Sequence, residues 1–252
     1  MKITFLGTGT SSGVPELGCR CEVCSSNDER DKRTRSSVLI ETGGKNILID
    51  CGPDFRSQML NNGMSIIDTV LITHEHYDHV GGLDDLRPLS YNKNIPIFGE
   101  AEVLHTISKH MPYAFLDKHY PGLPHLNLQT VTMEPFKIDD IRIIPIRLMH
   151  GQLPILGFRI GNMAYLTDLK TIPQEEFEKL VDVDLLIIEA LRQDSHHNNH
   201  EGIEEALENI KKIKPQTTYL IHMSHHIGLH AVAEKTLPEN VYYAYDGLTL
   251  ER

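Results

Sequence analysis

Short apolar runs alternate with amphipathic stretches along all 252 residues, which predicts an α/β protein whose sheets are covered by helices. Two observations carry this. Runs of strand length recur throughout, and one, "DLLIIEA", is almost wholly apolar, as expected of a strand buried on both faces. Between them lie helical stripes, clearest in "EGIEEALENIKKIK", where Ile203, Ala206, Leu207, Ile210 and Ile213 share a face. No low-complexity linker breaks the pattern, so a single domain over residues 1–252 is expected.

The elements follow in order. "KITFLGT" reads as a first strand; its apolar stretch is too short for a signal-peptide core. "SSVLIET" and "NILIDC" are strands joined at "GGK", and "PDFRSQMLNNG" is helical. "DTVLITH" is a strand that runs out at a histidine, "NIPIFG" another strand, and "EAEVLHTISKH" a helix. Met111 to Leu126 contains three prolines and no clean period, so it reads as a loop that could close over a site. "IRIIPIRL", "ILGFRI" and "MAYLTD" are strands, "PQEEFEKLV" is helical, and the buried run, the strong helix and a last helical pattern, "HAVAEKTLP", complete the chain.

The formal net charge of −11 makes long nucleic acids unexpected partners. No apolar run approaches membrane-spanning length. Without an export signal the expected compartment is the cytoplasm, where clustered cysteines favour metal over disulfides. A homodimer is the default expectation for assembly.

Chemistry concentrates in "LITHEHYDHVGG". A buried strand ends, and His74, His76, Asp78 and His79 follow within six residues. Imidazoles and a carboxylate suit zinc, manganese or iron. Their alternation can aim His74 and His76 at one ion, and Asp78 and His79 at a neighbour. A second cluster, "LGCRCEVC", holds Cys19, Cys21 and Cys24. These supply three ligands of a tetrahedral structural zinc; by residue type alone Cys51, His225 and His226 all remain open as the fourth. The run "DSHHNNHEGIEEAL" places His200 just before a helix, where a proton donor near a bound anion would be well sited. Arg87 could hold a phosphate or pair with Asp84 or Asp85, and Tyr113, His119 and His125 are weaker candidates in the loop.

The sequence resembles the metallo-β-lactamase superfamily. Its His-x-His-x-Asp-His signature is matched by His74, His76, Asp78 and His79, and its later motifs by Asp50, His150, Asp168 and His222, each at a strand end. The resemblance implies an αββα sandwich of two sheets face to face with helices outside. It implies one metal on His74, His76 and His150, a second on Asp78, His79 and His222, and Asp168 bridging them. Asp50 would order the metal loop without being a ligand. Two such ions, roughly 3.5–4 Å apart, can share a hydroxide.

The opening "FLGTGTSSGVPELGCRCEVC" further resembles the phosphoribosyl cyclic phosphate phosphodiesterase (PhnP-like) branch. That branch implies a structural zinc on Cys19, Cys21, Cys24 and His225, and a catalytic histidine at His200. The expected activity is hydrolysis of cyclic phosphates or related small phosphodiesters, with His200 and the metal ligand Asp78 as catalytic residues. Two divalent catalytic ions (zinc or manganese, or iron) and one structural zinc are the expected cofactors. The alternatives are a ribonuclease Z-like nuclease, a glyoxalase-type thioesterase and a non-catalytic metal-binding scaffold. The chain lacks an obvious RNA-binding arm, the cysteine cluster and His200 disfavour the thioesterase, and the intact ligand set disfavours the scaffold.

Overall fold

The computed structural model describes residues 1–64, 66–115, 122–194 and 197–252. In chain order the strands are β1 (Lys2–Gly7), β2 (Ser37–Thr42), β3 (Lys45–Ile49), β4 (Thr69–Leu71), β5 (Ile95–Gly99), β6 (Leu126–Thr130) and β7 (Phe136–Ile138). They continue as β8 (Ile141–His150), β9 (Leu153–Ile160), β10 (Met163–Leu166), β11 (Leu185–Glu189), β12 (Thr217–Ile221), β13 (Val241–Tyr243) and β14 (Thr249–Glu251). The α-helices are α1 (Phe55–Asn61), α2 (Tyr77–Val80), α3 (Ala101–His110), α4 (Ile203–Ile213) and α5 (His230–Ala233).

The chain forms two compact units. The first comprises Met1–Gly7, Arg35–Thr132 and Gly247–Arg252, and holds a seven-stranded sheet in the order β14-β1-β2-β3-β4-β5-β6. β2 and β3 pair antiparallel through Gly43 and Gly44, whose φ values of 55° and 74° are the double left-handed turn that suits strand twist. From β3 onward the strands run parallel, because α1, α2 and α3 occupy the successive crossovers. Leu48, Phe55, Val70, Ile72, Leu86, Ile97 and Leu104 share one buried cluster. A β-carbon on Gly82 would lie 2.0 Å from the Gly52 carbonyl oxygen, so the glycine after the metal loop lets two backbones touch.

The second unit comprises Thr8–Thr34 and Met133–Asp246, with a sheet in the order β13-β12-β11-β10-β9-β8-β7. β7 to β10 form an antiparallel meander, and β10 to β13 run parallel. β11 is buried at every position, as its apolar composition requires. The stripe of α4 faces a buried cluster: Ile203, Ala206 and Ile213 are buried, and Leu207 and Ile210 pack against it. Burying such aliphatic side chains contributes roughly 1.5–3 kcal/mol each, which anchors α4 beside β11.

Three local expectations change. "DTVLITH" pairs as a strand only over Thr69–Leu71, because the Thr73 N–H is taken by an Asp50 oxygen at 2.9 Å instead of a neighbouring strand. "PQEEFEKLV" forms a 3₁₀ turn over Gln174–Leu180, with Glu176 turned to accept the Arg147 N–H at 2.7 Å. "HAVAEKTLP" is one α-turn, α5, followed by a 3₁₀ turn over Glu234–Thr236. The expected 111–126 loop contains a 3₁₀ turn at Pro112–Phe115 and ends as β6 begins; residues 116–121 lie outside the described residues.

Candidate metal centre

In the first unit, Asp50 follows β3 and His74 to His79 follow β4. Asp50 is fully buried and accepts three donors. These are the Thr73 N–H at 2.9 Å, the Thr73 hydroxyl at 2.9 Å and His79 Nδ1 at 2.8 Å. Burial pushes its carboxyl up, and His79 and Thr73 pull it back. The Thr73 hydroxyl gives its one proton to Asp50, so at 3.0 Å it must accept from His74 Nδ1. Asp50 therefore sets two tautomers, one directly and one through Thr73. Both His74 and His79 are left with an Nε2 lone pair facing away from it.

Those lone pairs meet other acceptors. His74 Nε2 lies 3.0 Å from His76 Nδ1, and His79 Nε2 lies 3.1 Å from Asp78 Oδ2. Ring nitrogens this close to each other or to a carboxylate oxygen share either a proton or a cation. The donor set of three imidazoles and a carboxylate fits a divalent metal.

In the second unit, His150 ends β8, Asp168 follows β10 and His222 follows β12. His150 Nδ1 donates to the Asn199 carbonyl at 3.0 Å, which leaves Nε2 for a ligand. Burial holds this ring below the usual histidine range, against the pull of Asp168, so it is neutral, the ligating form. The Thr167 hydroxyl donates to Asp168 Oδ1 at 2.7 Å, and Asp168 Oδ2 lies 3.2 Å from His222 Nε2. Asp50, Asp168 and His222 have φ of 60°, 55° and 55°. At each of these strand ends the backbone takes a left-handed turn, a conformation that L-residues adopt at a cost and that clusters at functional sites.

His200 joins this group. It offers a ligand-type atom within 4.8 Å of others from His150 and Asp168, and its ring stacks on His222 at 5.2 Å between centroids. Behind it stands Glu189, the last residue of β11 and fully buried. Glu189 Oε1 lies 2.5 Å from His200 Nδ1 and 3.5 Å from His222 Nδ1. Glu189 thus holds the Nδ1 proton of His200, which leaves Nε2 for chemistry. The sequence reading missed this residue; the available signal was a carboxylate ending a strand buried on both faces. Of the neighbouring histidines, His197 is half-buried beside His200, and His196 lies outside the described residues.

The thiol cluster lies wholly in the second unit. Cys19, Cys21, Cys24 and His225 offer ligand atoms all within 4.8 Å of one another, with Cys24 Sγ 3.2 Å from His225 Nδ1. The Cys24 N–H bonds Cys21 Sγ at 3.4 Å and holds that thiol below its usual range. Burial and the crowding thiols push Cys24 up to about 11. Three thiolates and an imidazole fit zinc, which would resolve that crowding. His226 Nε2 instead meets His225 Nε2 at 3.0 Å, and Cys51 packs in the apolar cluster of the first unit with its thiol pushed well up by burial. Arg87 is committed to Asp84, with Nη2 2.7 Å from each carboxylate oxygen.

Residues 45–223 match the family model of the beta-lactamase superfamily domain, and the chain belongs to that superfamily, in its metallo-β-lactamase form. Its two mixed seven-stranded sheets with helices match the expected αββα class. The branch is the PhnP-like one. A solved diphosphatase of the PhnP family is 37% identical with a TM-score of 0.92, covering 99% of this chain and 96% of its own. Human tRNase Z, short form, shares the fold at 21% identity and a TM-score of 0.75, over 100% of this chain and 99% of its own. An octanoyltransferase of Porphyromonas gingivalis is 49% identical over 98% of this chain, and the chain spans only 51% of that protein's length. No helix among the described residues is long and apolar enough to cross a membrane.

Proposed function

We propose that the chain is a metal-dependent hydrolase of cyclic phosphates or related small phosphodiesters. The observation that carries this is the Glu189–His200 pair, 2.5 Å apart, with His200 beside His150, Asp168 and His222. A proton donor next to metal-ligand side chains suits expulsion of an alkoxide. One ion would be held by His74, His76 and His150, and another by Asp78, His79 and His222, with Asp168 shared. Zinc, manganese and iron all suit these ligands. Bound there, the ions would supply Lewis acidity and a nucleophile at neutral pH.

The protein's own residues then have separable tasks. Asp50 and Thr73 hold the His74 and His79 rings. Glu189 keeps a proton on His200 Nδ1 and presents Nε2 for donation to the leaving oxygen. A structural zinc on Cys19, Cys21, Cys24 and His225 would tie the amino-terminal loop to the segment after β12 and do no chemistry.

The 37% identical relative is a diphosphatase, which favours a second reading: cleavage of a diphosphate. Octanoyl transfer is named for a protein about twice as long and is not assigned to this chain. The test is a panel with added manganese or zinc: a cyclic phosphate, an acyclic diester, a dinucleoside diphosphate, a thioester and a β-lactam. Turnover of a diester, lost in Asp168→Asn, is expected; turnover of the thioester alone would refute the reading.

A further inference from the structure

We propose that a cavity beside the metal loop is a subsite for a nucleobase, so that the preferred substrate carries a nucleoside; this rests on the phosphodiesterase reading above. The cavity, about 190 Å³, is lined by Tyr77, Val80, Asp84, His110, Met111 and Tyr113, among others. Tyr77, Val80, Gly81 and Asp84 recur at helical spacing and line one side of α2 and the turn after it, and Asp78 and His79 fall between them. The cavity and two of the ligand residues are thus neighbours along the same short helix.

The lining suits a flat, aromatic group. Val80, Leu83 and Met111 are buried apolar side chains. Tyr77 is 70% exposed, so core packing does not explain its place. It lies against Gly81, where a β-carbon would stand 2.8 Å from two ring atoms, so any side chain there would displace the ring. Tyr113 is held by its hydroxyl, which donates to Asp84 Oδ1 at 2.9 Å. The Asp84 carboxylate is paired with Arg87, so the turn offers no unpaired arginine to a phosphate. What fits two tyrosine rings, an aliphatic floor and the polar groups of Asp84 and His110 is a planar ring with donors and acceptors on its edge. Base stacking on an aromatic side chain changes affinity on the order of 10- to 100-fold.

The test compares two diesters with the same nitrophenolate leaving group: the p-nitrophenyl ester of adenosine 5′-phosphate and methyl p-nitrophenyl phosphate. The metal-loaded enzyme should prefer the nucleoside ester, and Tyr113→Ala should cut the ratio of the two kcat/KM values at least tenfold while metal content and melting temperature hold. Tyr113→Phe keeps the ring and should keep most of the ratio. Calorimetric binding of AMP against ribose 5-phosphate asks the same question without turnover, and AMP should bind at least tenfold tighter. Discrimination in binding without diester hydrolysis would leave the subsite standing and refute the phosphodiesterase reading. Hydrolysis of both esters with no preference, and equal binding of AMP and ribose 5-phosphate, would overturn the subsite.

Discussion

Replacing Glu189 by Gln removes one negative charge and almost no volume. Glu189 Oε1 receives the Nδ1 proton of His200 at 2.5 Å in a fully buried setting. A hydrogen bond to a charged group contributes roughly 1.5–3 kcal/mol, and a neutral one about 0.5–1.5 kcal/mol. The difference, about 1–2 kcal/mol, corresponds to a loss of roughly 5- to 30-fold in a step that needs the His200 proton. The assay is kcat on a diester with an aliphatic alcohol leaving group against one releasing p-nitrophenolate, which departs without a proton. Only the first should slow. In a His200→Ala background the same replacement should add little, because its 2.5 Å partner is already gone and only the longer 3.5 Å contact to His222 remains. Its thermal stability should fall modestly, since a buried charged hydrogen bond becomes a neutral one. Equal slowing of both substrates, or an additive loss in the double variant, would refute the assignment of Glu189 to proton delivery.

Cys21→Ser and His225→Ala should each lose one zinc equivalent and lower the melting temperature, whereas His226→Ala and Cys51→Ala should retain it, as metal analysis of the four proteins would show. Thr73→Val removes the relay from Asp50 to His74 and should weaken catalytic metal affinity roughly tenfold in a chelator titration, with the fold intact by circular dichroism. Glu201 is pushed up to about 9, first by burial and then by Glu189 and Glu205, from an ordinary 4.5. Folding therefore takes up a proton between these values, so its contribution to stability is present below 4.5 and is lost as pH rises towards 9. Glu201→Gln keeps an acceptor for Asn209, so denaturant titrations should show no advantage at low pH and one that grows through this window by at most about 1.4 kcal/mol per pH unit.

The metal loop was legible because its four ligand types stand together after an apolar strand, and α4 because eleven residues give its stripe room to repeat. Glu189 was hidden inside an apolar run, and its role appears only when His200, eleven residues later, folds back onto it. The three-residue strands β7, β13 and β14 are too short to show alternation and exist because neighbours pair with them. β6 begins where the proline-bearing loop was expected to end, and pairs with β5 over five residues. Spacing could not choose the fourth partner of the thiols. His225 was assigned by resemblance, and the chain brings its Nδ1 to 3.2 Å from Cys24 Sγ. Spacing leaves Arg87 open to a phosphate or to Asp84 or Asp85, and the structure pairs it with Asp84.

The left-handed backbone at Asp50, Asp168 and His222 bears on how these positions can be interrogated. Alanine in that conformation carries a penalty of about 1–2 kcal/mol that asparagine and aspartate partly escape through local hydrogen bonds. An alanine scan would therefore mix a deleted ligand with a distorted strand end, and a dead variant would not say which was responsible. Glycine tolerates the turn without any side chain, and asparagine keeps a side chain of the aspartate's shape without its charge. At Asp50 and Asp168 the informative contrast is thus asparagine against glycine. If both lose metal while both keep the native melting profile, the carboxylate is a ligand or its support; if only glycine fails, shape matters and charge does not.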